Sequence, residues 1–566
     1  MSDHQNPAFK THDVLNQSQP LVDYNLFTTN RALQEAVNRE GASWSVPALK
    51  EYGALLGSEE MVENGRLANK YPPQLQLFDR FGNRRDEIDF HPAWHAIMAA
   101  AVAHGLHSSP WAHPRAGAHV ARAAAILMHV QIEAGSQCPV TMTYGCVPTI
   151  SRRKDIADIW LPKIFSSIYD QRLVPIAEKK GALVGMGMTE KQGGSDVRTN
   201  TSTATLMPGT DGEYEIVGHK WFFSAPMCDA FLVLAQAAKG ISCFFMPLFL
   251  PDGSKNAIHI QRLKEKLGNS ANASSEVEFH GARAWLIGEE GRGVPTIIDM
   301  ANYTRLDCAV GTTGLMVQVV AQAINHATYR ESFKHKLIAH PLMQNVLADL
   351  VLEVEGAQAL ALRVARAFDG QNDEAESHFR RVITPTAKYW ICKRGASVAV
   401  EAMEVMGGNG YVEEGPMARI YKEMPLNSIW EGSGNIMCLD MLRAFGKTRD
   451  ALEIVRQEWV LAKGSNASLD KYAKSLESDI LQSQSEIVES QARRLTERLA
   501  LCVSAALLVR NAPSYVADAF CASRLDRDWG STFGTLNANV HFKEIIERGS
   551  PVEAAESGIK PQFVTK

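Results

Sequence analysis

The chain has 566 residues, of which 45% are hydrophobic and 21% charged, and its net charge is −5. That length exceeds what one hydrophobic core serves, so three or four domains are expected. The charge excludes a global basic footprint for nucleic acid. Nine scattered cysteines with no C-x-x-C exclude a disulfide framework and a Cys-rich zinc site, so no metal site is expected.

The first residues, "MSDHQNPAFKTHDV", are polar and lack a charged-then-apolar signal pattern. No uninterrupted apolar run reaches membrane-spanning length. A cytoplasmic chain without a membrane partner is the expectation. Residues 1–180 read as a helical domain behind a polar arm. "HPAWHAIMAAAVAHGLH" and "HVARAAAILMHVQIEAG" carry apolar residues at i, i+3 and i+4, and breakers such as "SSPWAHPRAG" separate them. Residues 181–300 change texture. "EYEIVGHKWFFSAP", "AFLVLAQAA" and "ISCFFMPLFLPDG" are short, aromatic and β-branched, bounded by Gly, Pro and Asp, which predicts a small β-barrel or sandwich. Residues 301–445 return to long amphipathic patterns that supply a four-helix bundle. Residues 446–566 predict a further helical domain with a disordered tail from about 547. The fold class is therefore α+β, mainly α.

Four short stretches can carry chemistry. In "GMGMTEKQGGSDVRTNT" (185–201), Gly193, Gly194 and Ser195 let backbone N–H groups approach a ligand closely, and Thr189 adds a hydroxyl. A solvated interdomain loop fits the same residues equally well. In "HKWFFSAP" (219–226), strand alternation places Trp221 and Phe223 on one face and Phe222 and Ser224 on the other, either as core aromatics or as a shelf for a flat ring. Gly407 and Gly408 in "VMGGNGYVEEG" read as a helix stop or a close-approach turn. "NSIWEGSGNIMCLDMLRA" (427–444) puts Glu431 between Trp430 and a Gly-Ser-Gly-Asn run. The acid is either helix-start chemistry, with Ser433 or Asn435 as N-cap, or a catalytic base held against an apolar wall. Neither G-x-G-x-x-G nor a Walker pattern is present.

The order of these pieces decides more than any one of them. Helices, T-E-x-x-G-G-S-D, a β domain with K-W-F-F-S, long helices, G-G-N-G-Y and W-E-G-S resemble, over about 31–445, the acyl-CoA dehydrogenase family of flavoproteins. The Lys-Gln pair at 191–192, Trp430 and the extra C-terminal helices are similar to its AidB branch, the flavoproteins of the adaptive response to DNA alkylation. The resemblance implies that FAD is the cofactor. It implies flavin contacts at Met188, Thr189, Gly194, Ser195, Trp221, Phe222, Phe223, Ser224, Ile429, Gly432, Ser433 and Asn435. It implies that Arg330, Phe333, Gly407 and Gly408 hold the far end of FAD across subunits of a homotetramer. Glu431 is then the base that takes the α-proton of an acyl-CoA. Arg443, twelve residues on, is the candidate to hold it ionised. The alternative base position of the family falls at Thr304, before Arg305, and a threonine cannot serve. The sequence departs from the family at Lys334, in place of a glycine, and at Glu404, in place of a glutamine. An electron-transferring flavoprotein is an implied partner.

The AidB likeness also implies double-stranded DNA as a partner, through the last domain. Residues 451–566 hold 14 basic and 15 acidic residues, net −1. Phosphate neutralisation therefore needs a one-sided patch. Arg493, Arg494 and Arg498, with Arg524 and Arg527, are the local clusters; a solvated helix face packing a tetramer explains them as well. Two readings stand: a flavin-dependent desaturase of a short or branched acyl-CoA, and a DNA-protecting flavoprotein with a vestigial dehydrogenase site.

Overall fold

The computed structural model describes residues 10–370, 373–447, 450–485 and 489–552. The N-terminal part is helical and ends in α1 (Gln137–Ile150) and a further helix, Lys154–Ile164. One hairpin interrupts it. Strands Gln74–Phe78 and Arg84–Asp89 pair antiparallel across a turn in which the Asp79 carboxylate accepts the Phe81 and Asn83 N–H groups. Sequence reading missed this hairpin because its second strand, RRDEID, is almost wholly charged and carries no strand signature.

The central domain is a closed barrel. Its strands are β1 (Val184–Gly187), β2 (Thr203–Leu206), β3 (Glu213–Ser224), β4 (Ala230–Ala237), β5 (Gly240–Pro247), β6 (Ile258–Leu263) and β7 (Ser274–Ile287). The ring β4-β2-β3-β7-β5 closes through β5 pairing with β4. β1 lies parallel to β4 at one edge, and β6 adds to β7. Closure leaves no open edge in the ring and fixes the register of β3, the strand that carries Trp221.

Four long helices follow: α2 (Gly293–Tyr329), α3 (Pro341–Asp369), α4 (Glu374–Val405) and α5 (Gly434–Lys447). α2 is long and apolar enough to cross a bilayer, yet it lies almost wholly buried as the central helix of the bundle. Its glycines permit this. A Cβ at Gly314 would sit 2.2 Å from the Leu127 carbonyl oxygen, so another residue would force the neighbouring helix away. The α2 charge Asp307 is buried against Arg122, with N–O separations of 2.7 Å, and the two satisfy each other.

The last helices, including α6 (Ala492–Asn511), pack on α3 and α4 through buried charges. Arg524 pairs with Asp349 (2.6 Å) and Glu353 (3.1 Å); Glu353 also takes Arg394. Arg548 bridges Glu355 and Glu35 of the N-terminal part, the latter at 2.7 Å. This corrects the expected tail: helix Phe542–Arg548 is packed and tied down, and only 553–566 lie outside the described residues.

Arg524→Gln removes a cation that is 2% exposed from two buried carboxylates. We expect a loss of about 3–5 kcal/mol from the interface between the last helices and the bundle, read as a lower first transition in thermal unfolding.

Candidate active site

The loop before α5 is built to hold one strained residue. A single turn, Leu426–Ser428, brings the chain round, and the Trp430 N–H closes onto the Leu426 carbonyl at 3.2 Å. Glu431 then takes φ 58° and Gly432 φ 104°. A non-glycine residue in the left-handed region costs about 1–2 kcal/mol, so surrounding contacts must hold it there. Ser433 occupies the N-cap place, its carbonyl accepting the Met437 N–H at 3.0 Å. Trp430 is fixed by its own Nε1–H, which donates to Asn427 (2.8 Å), and Asn427 in turn donates to Thr312 of α2 (3.0 Å).

Two cations support the loop from below. Arg305 Nε donates to the Glu431 carbonyl (3.0 Å), and Lys388 of α4 donates to the carbonyls of Trp430 (2.6 Å) and Gly432. Arg305 is itself paired with Asp440 of α5 (2.9 Å), which also takes Arg381. The Glu431 carboxylate accepts the Thr304 hydroxyl at 2.6 Å. Burial of that carboxyl raises its pKa above the ordinary glutamate value; the Thr304 hydrogen bond and the charges of Lys388 and Arg305 oppose the rise without cancelling it. Burial pushes the Cys138 thiol, at the start of α1, up to about 12; the Glu431 charge adds to the rise and Ser224 of β3 opposes it.

The β3 strand departs from simple alternation. Its register with β7 shifts between Lys220 and Phe223, so a bulge falls at Trp221 and Phe222. This corrects the expected faces. Lys220 and Phe223 both turn inward; Phe223 packs on Phe231 and Phe279 in the barrel core and is not a flavin contact. Trp221 and Phe222 both turn outward under the Lys264 ammonium, at 3.2 and 4.7 Å from their ring centres. Phe222 is 51% exposed. The 188–196 loop is anchored beside them. Buried Glu190 pairs with Lys220 (2.8 Å) and accepts the Thr201 and Ser202 N–H groups. The Trp221 N–H bonds the Thr189 carbonyl (2.9 Å), and Asn200 bonds that of Met188. Gly194 must be glycine, since a Cβ there would meet the Thr189 hydroxyl at 2.4 Å. Gly193 (φ 138°), Gly194 and the exposed Ser195 leave backbone uncovered.

The residue chemistry fits FAD: an outward aromatic pair and a glycine loop with uncovered backbone suit a flat ring with polar edges. Ile429 is 63% exposed. Asn435 is exposed too, but its carbonyl is engaged by Arg493 Nε at 2.8 Å. Four candidates lie apart. Phe333 is 90% exposed on a two-residue hairpin turn beside Arg330, whose guanidinium bonds the Asn16 carbonyl. Gly407 and Gly408 sit exposed at the end of α4 with open space around them. Phe333, Gly407 and Gly408 are exposed, and Arg330 is half-buried.

Other expectations need correction. Arg443 is solvent-exposed on α5 and does not meet Glu431; the arginine that does is Arg305. Of the nucleic-acid candidates, Arg524 is buried between the last helices and the bundle, and Arg498 is paired with Asp479 and stacked near Tyr472. Arg493, Arg494 and Arg527 are exposed. Sequence reading missed Lys388 and Asp440 altogether. Lys388 sits in no motif, Asp440 lies inside the 427–444 stretch but reads as an ordinary residue of the helix that follows, and neither carries a local signal.

Comparison with known proteins agrees with this geometry. The AidB N-terminal domain family matches residues 16–171. The acyl-CoA dehydrogenase middle domain matches 185–282 and its C-terminal domain 291–446. The chain is 46% identical over 524 residues to a putative acyl-CoA dehydrogenase AidB of Escherichia coli K12, covering 92% of this chain and 96% of that protein. It is 29% identical to acyl-CoA dehydrogenase family member 11 of Caenorhabditis elegans over 82% and 80% of the two chains. The crystal structure of ACDH-11 from C. elegans, in complex with C11-CoA, superposes with a TM-score of 0.83 at 25% identity, over 92% of this chain and 95% of that one. The chain therefore belongs to the acyl-CoA dehydrogenase family, in its AidB branch, and is an FAD-dependent oxidoreductase.

Proposed function

We propose that the protein desaturates a short or branched acyl-CoA between its α and β carbons, with Glu431 as the base. The observation that carries this reading is a half-buried carboxylate held by Thr304, on a loop whose backbone is locked by Lys388 and Arg305. An α-proton of a thioester is weakly acidic, so its removal needs both a base made stronger by burial and polarisation of the thioester carbonyl. Glu431 provides the first and its own backbone N–H is the candidate for the second. Bound FAD supplies the acceptor for the β-hydride. Trp221, Phe222, Thr189 and Gly194 are the residues that would hold its ring, with the half-buried Arg330 and the exposed Phe333, Gly407 and Gly408 serving a neighbouring subunit in a homotetramer. A relative solved with C11-CoA supports an acyl-CoA as the substrate class. The electrons then pass to an electron-transferring flavoprotein. Nine free, buried cysteines suit a reducing compartment such as the cytoplasm.

A second reading, DNA protection in the response to alkylation, rests on the AidB likeness and on the exposed Arg493, Arg494 and Arg527. The patch is smaller than the sequence implied, since Arg498 and Arg524 are engaged inside the protein.

Glu431→Gln is expected to keep FAD and lose acyl-CoA-driven flavin reduction by at least about 10²–10⁴-fold; anaerobic titration with a panel of acyl-CoAs including isovaleryl-CoA reads it, and undiminished reduction would move the base elsewhere. The base must be ionised, so the rate should rise with pH through a value above the ordinary glutamate pKa. Thr304→Val removes a donor to the carboxylate and should shift that acid limb to still higher pH, as measured by stopped-flow reduction across pH. If DNA is bound through α6, the double change Arg493→Gln, Arg494→Gln should reduce the slope of log affinity against log salt by up to about two; an unchanged slope places the DNA site off this helix.

A further inference from the structure

Three successive backbone carbonyls, those of Trp430, Glu431 and Gly432, end on two cations. Lys388 takes the first and third, and Arg305 the second. The two cations are not equivalent. Arg305 shares its charge with Asp440 at 2.9 Å, and Asp440 is held from its other side by Arg381. Lys388 is 1% exposed and, among the described residues, has no ion pair. Burying an unpaired ammonium costs several kcal/mol, and a methionine would fill the same volume without that cost. Its ammonium is therefore retained for what it touches, and its carbonyl partners lie on both sides of the base.

The geometry has a directional consequence. In a trans peptide the N–H points opposite to the C=O. With the Trp430 carbonyl turned onto Lys388, the Glu431 N–H is turned away from it, and among the described residues that N–H has no acceptor. We infer that Lys388 is a positioning residue for the reaction: by gripping the carbonyls on either side of Glu431 it holds the base in its left-handed conformation, aims the Glu431 N–H at the substrate carbonyl, and sets an ammonium where it favours the charged form of the carboxylate. This rests on the reading of Glu431 as the base.

The groups that face Glu431 are few. They are Thr304, Arg305 and Cys308 from α2, Lys388 from α4 and Cys138 from α1, with Asp440 of α5 and Arg381 of α4 behind Arg305. Cys392 of α4 lies beside Lys388 and Cys308. Burial pushes all three thiols up, so they stay neutral. Among the described residues, Lys388 is the cation beside Glu431 with no carboxylate partner of its own, whereas Arg305 shares Asp440 with Arg381.

The test uses the full-length, FAD-loaded protein and stopped-flow reduction by an acyl-CoA that reduces the wild type. Lys388→Met should stay yellow, reduce about 100-fold more slowly, and show its acid limb at higher pH than the wild type. Lys388→Arg keeps the charge while changing the shape of the grip; it should lose rate and leave the limb where it was. A Lys388→Met protein that reduces at the wild-type rate, or that is slower with an unmoved limb, overturns the inference, the second result being what plain structural support would give. If Lys388→Met does not hold FAD, Lys388→Arg decides: an unmoved limb with a lower rate supports the role, and a limb displaced to higher pH, or a rate equal to the wild type, overturns it. Glu431→Gln is run alongside. Its retention of activity would defeat the assignment of the base itself, a failure distinct from any result at Lys388.

Discussion

A half-buried carboxylate on a left-handed backbone does not stay there unaided. The contact on which the rest of the site depends is the grip of Lys388 and Arg305 on the three carbonyls at 430–432. It offsets the local cost of φ 58° at Glu431 and leaves the carboxyl free to meet Thr304 and a substrate. Strain of this kind persists where surrounding structure over-determines it, and here the supports come from two separate helices of the bundle.

The remainder of the fold keeps those supports in place. α2 brings Thr304 and Arg305 to the loop, and its small residues let it run through the centre of the molecule against the N-terminal helices. The barrel closes on itself, so the bulge at Trp221 and Phe222 has a fixed register and presents both rings outward. The Glu190–Lys220 pair binds the glycine loop to that same strand. Glu431, the Trp221–Phe222 pair and the glycine loop are thus each fixed by a rigid element, which is what the proposed near-attack geometry demands.

Much of this was legible in the residues. Periodicity of 3.6 against short β-branched runs separated the barrel from the helices, and the order of T-E-x-x-G-G-S-D, K-W-F-F-S and W-E-G-S pointed to the family and its flavin. Other features had no local signal. A bulge is a relation between β3 and β7, so strict alternation put Phe223 on the wrong face. Lys388 precedes Glu431 by more than forty residues, inside a long helix where a lysine passes for solvent-facing. Arg443 lies close in sequence to the Glu431 loop, on the helix that follows it, whereas Arg305 reaches that loop only through the bundle fold. Arg524 reads as a basic patch beside Arg527 until its partners Asp349 and Glu353, far away in sequence, are brought to it.

The claim that Glu431 is the base can be separated from every question of oxidant and physiological substrate. A 3-thiaacyl-CoA has an acidic α-carbon and no β-carbon hydrogen to lose, so proton removal can occur without oxidation. Incubated with the FAD-loaded protein in D₂O and followed by NMR, its α-protons should exchange with solvent in the presence of the wild type and remain unexchanged with Glu431→Gln. Exchange at the same rate with both proteins would show that another group takes the proton and would contradict the account.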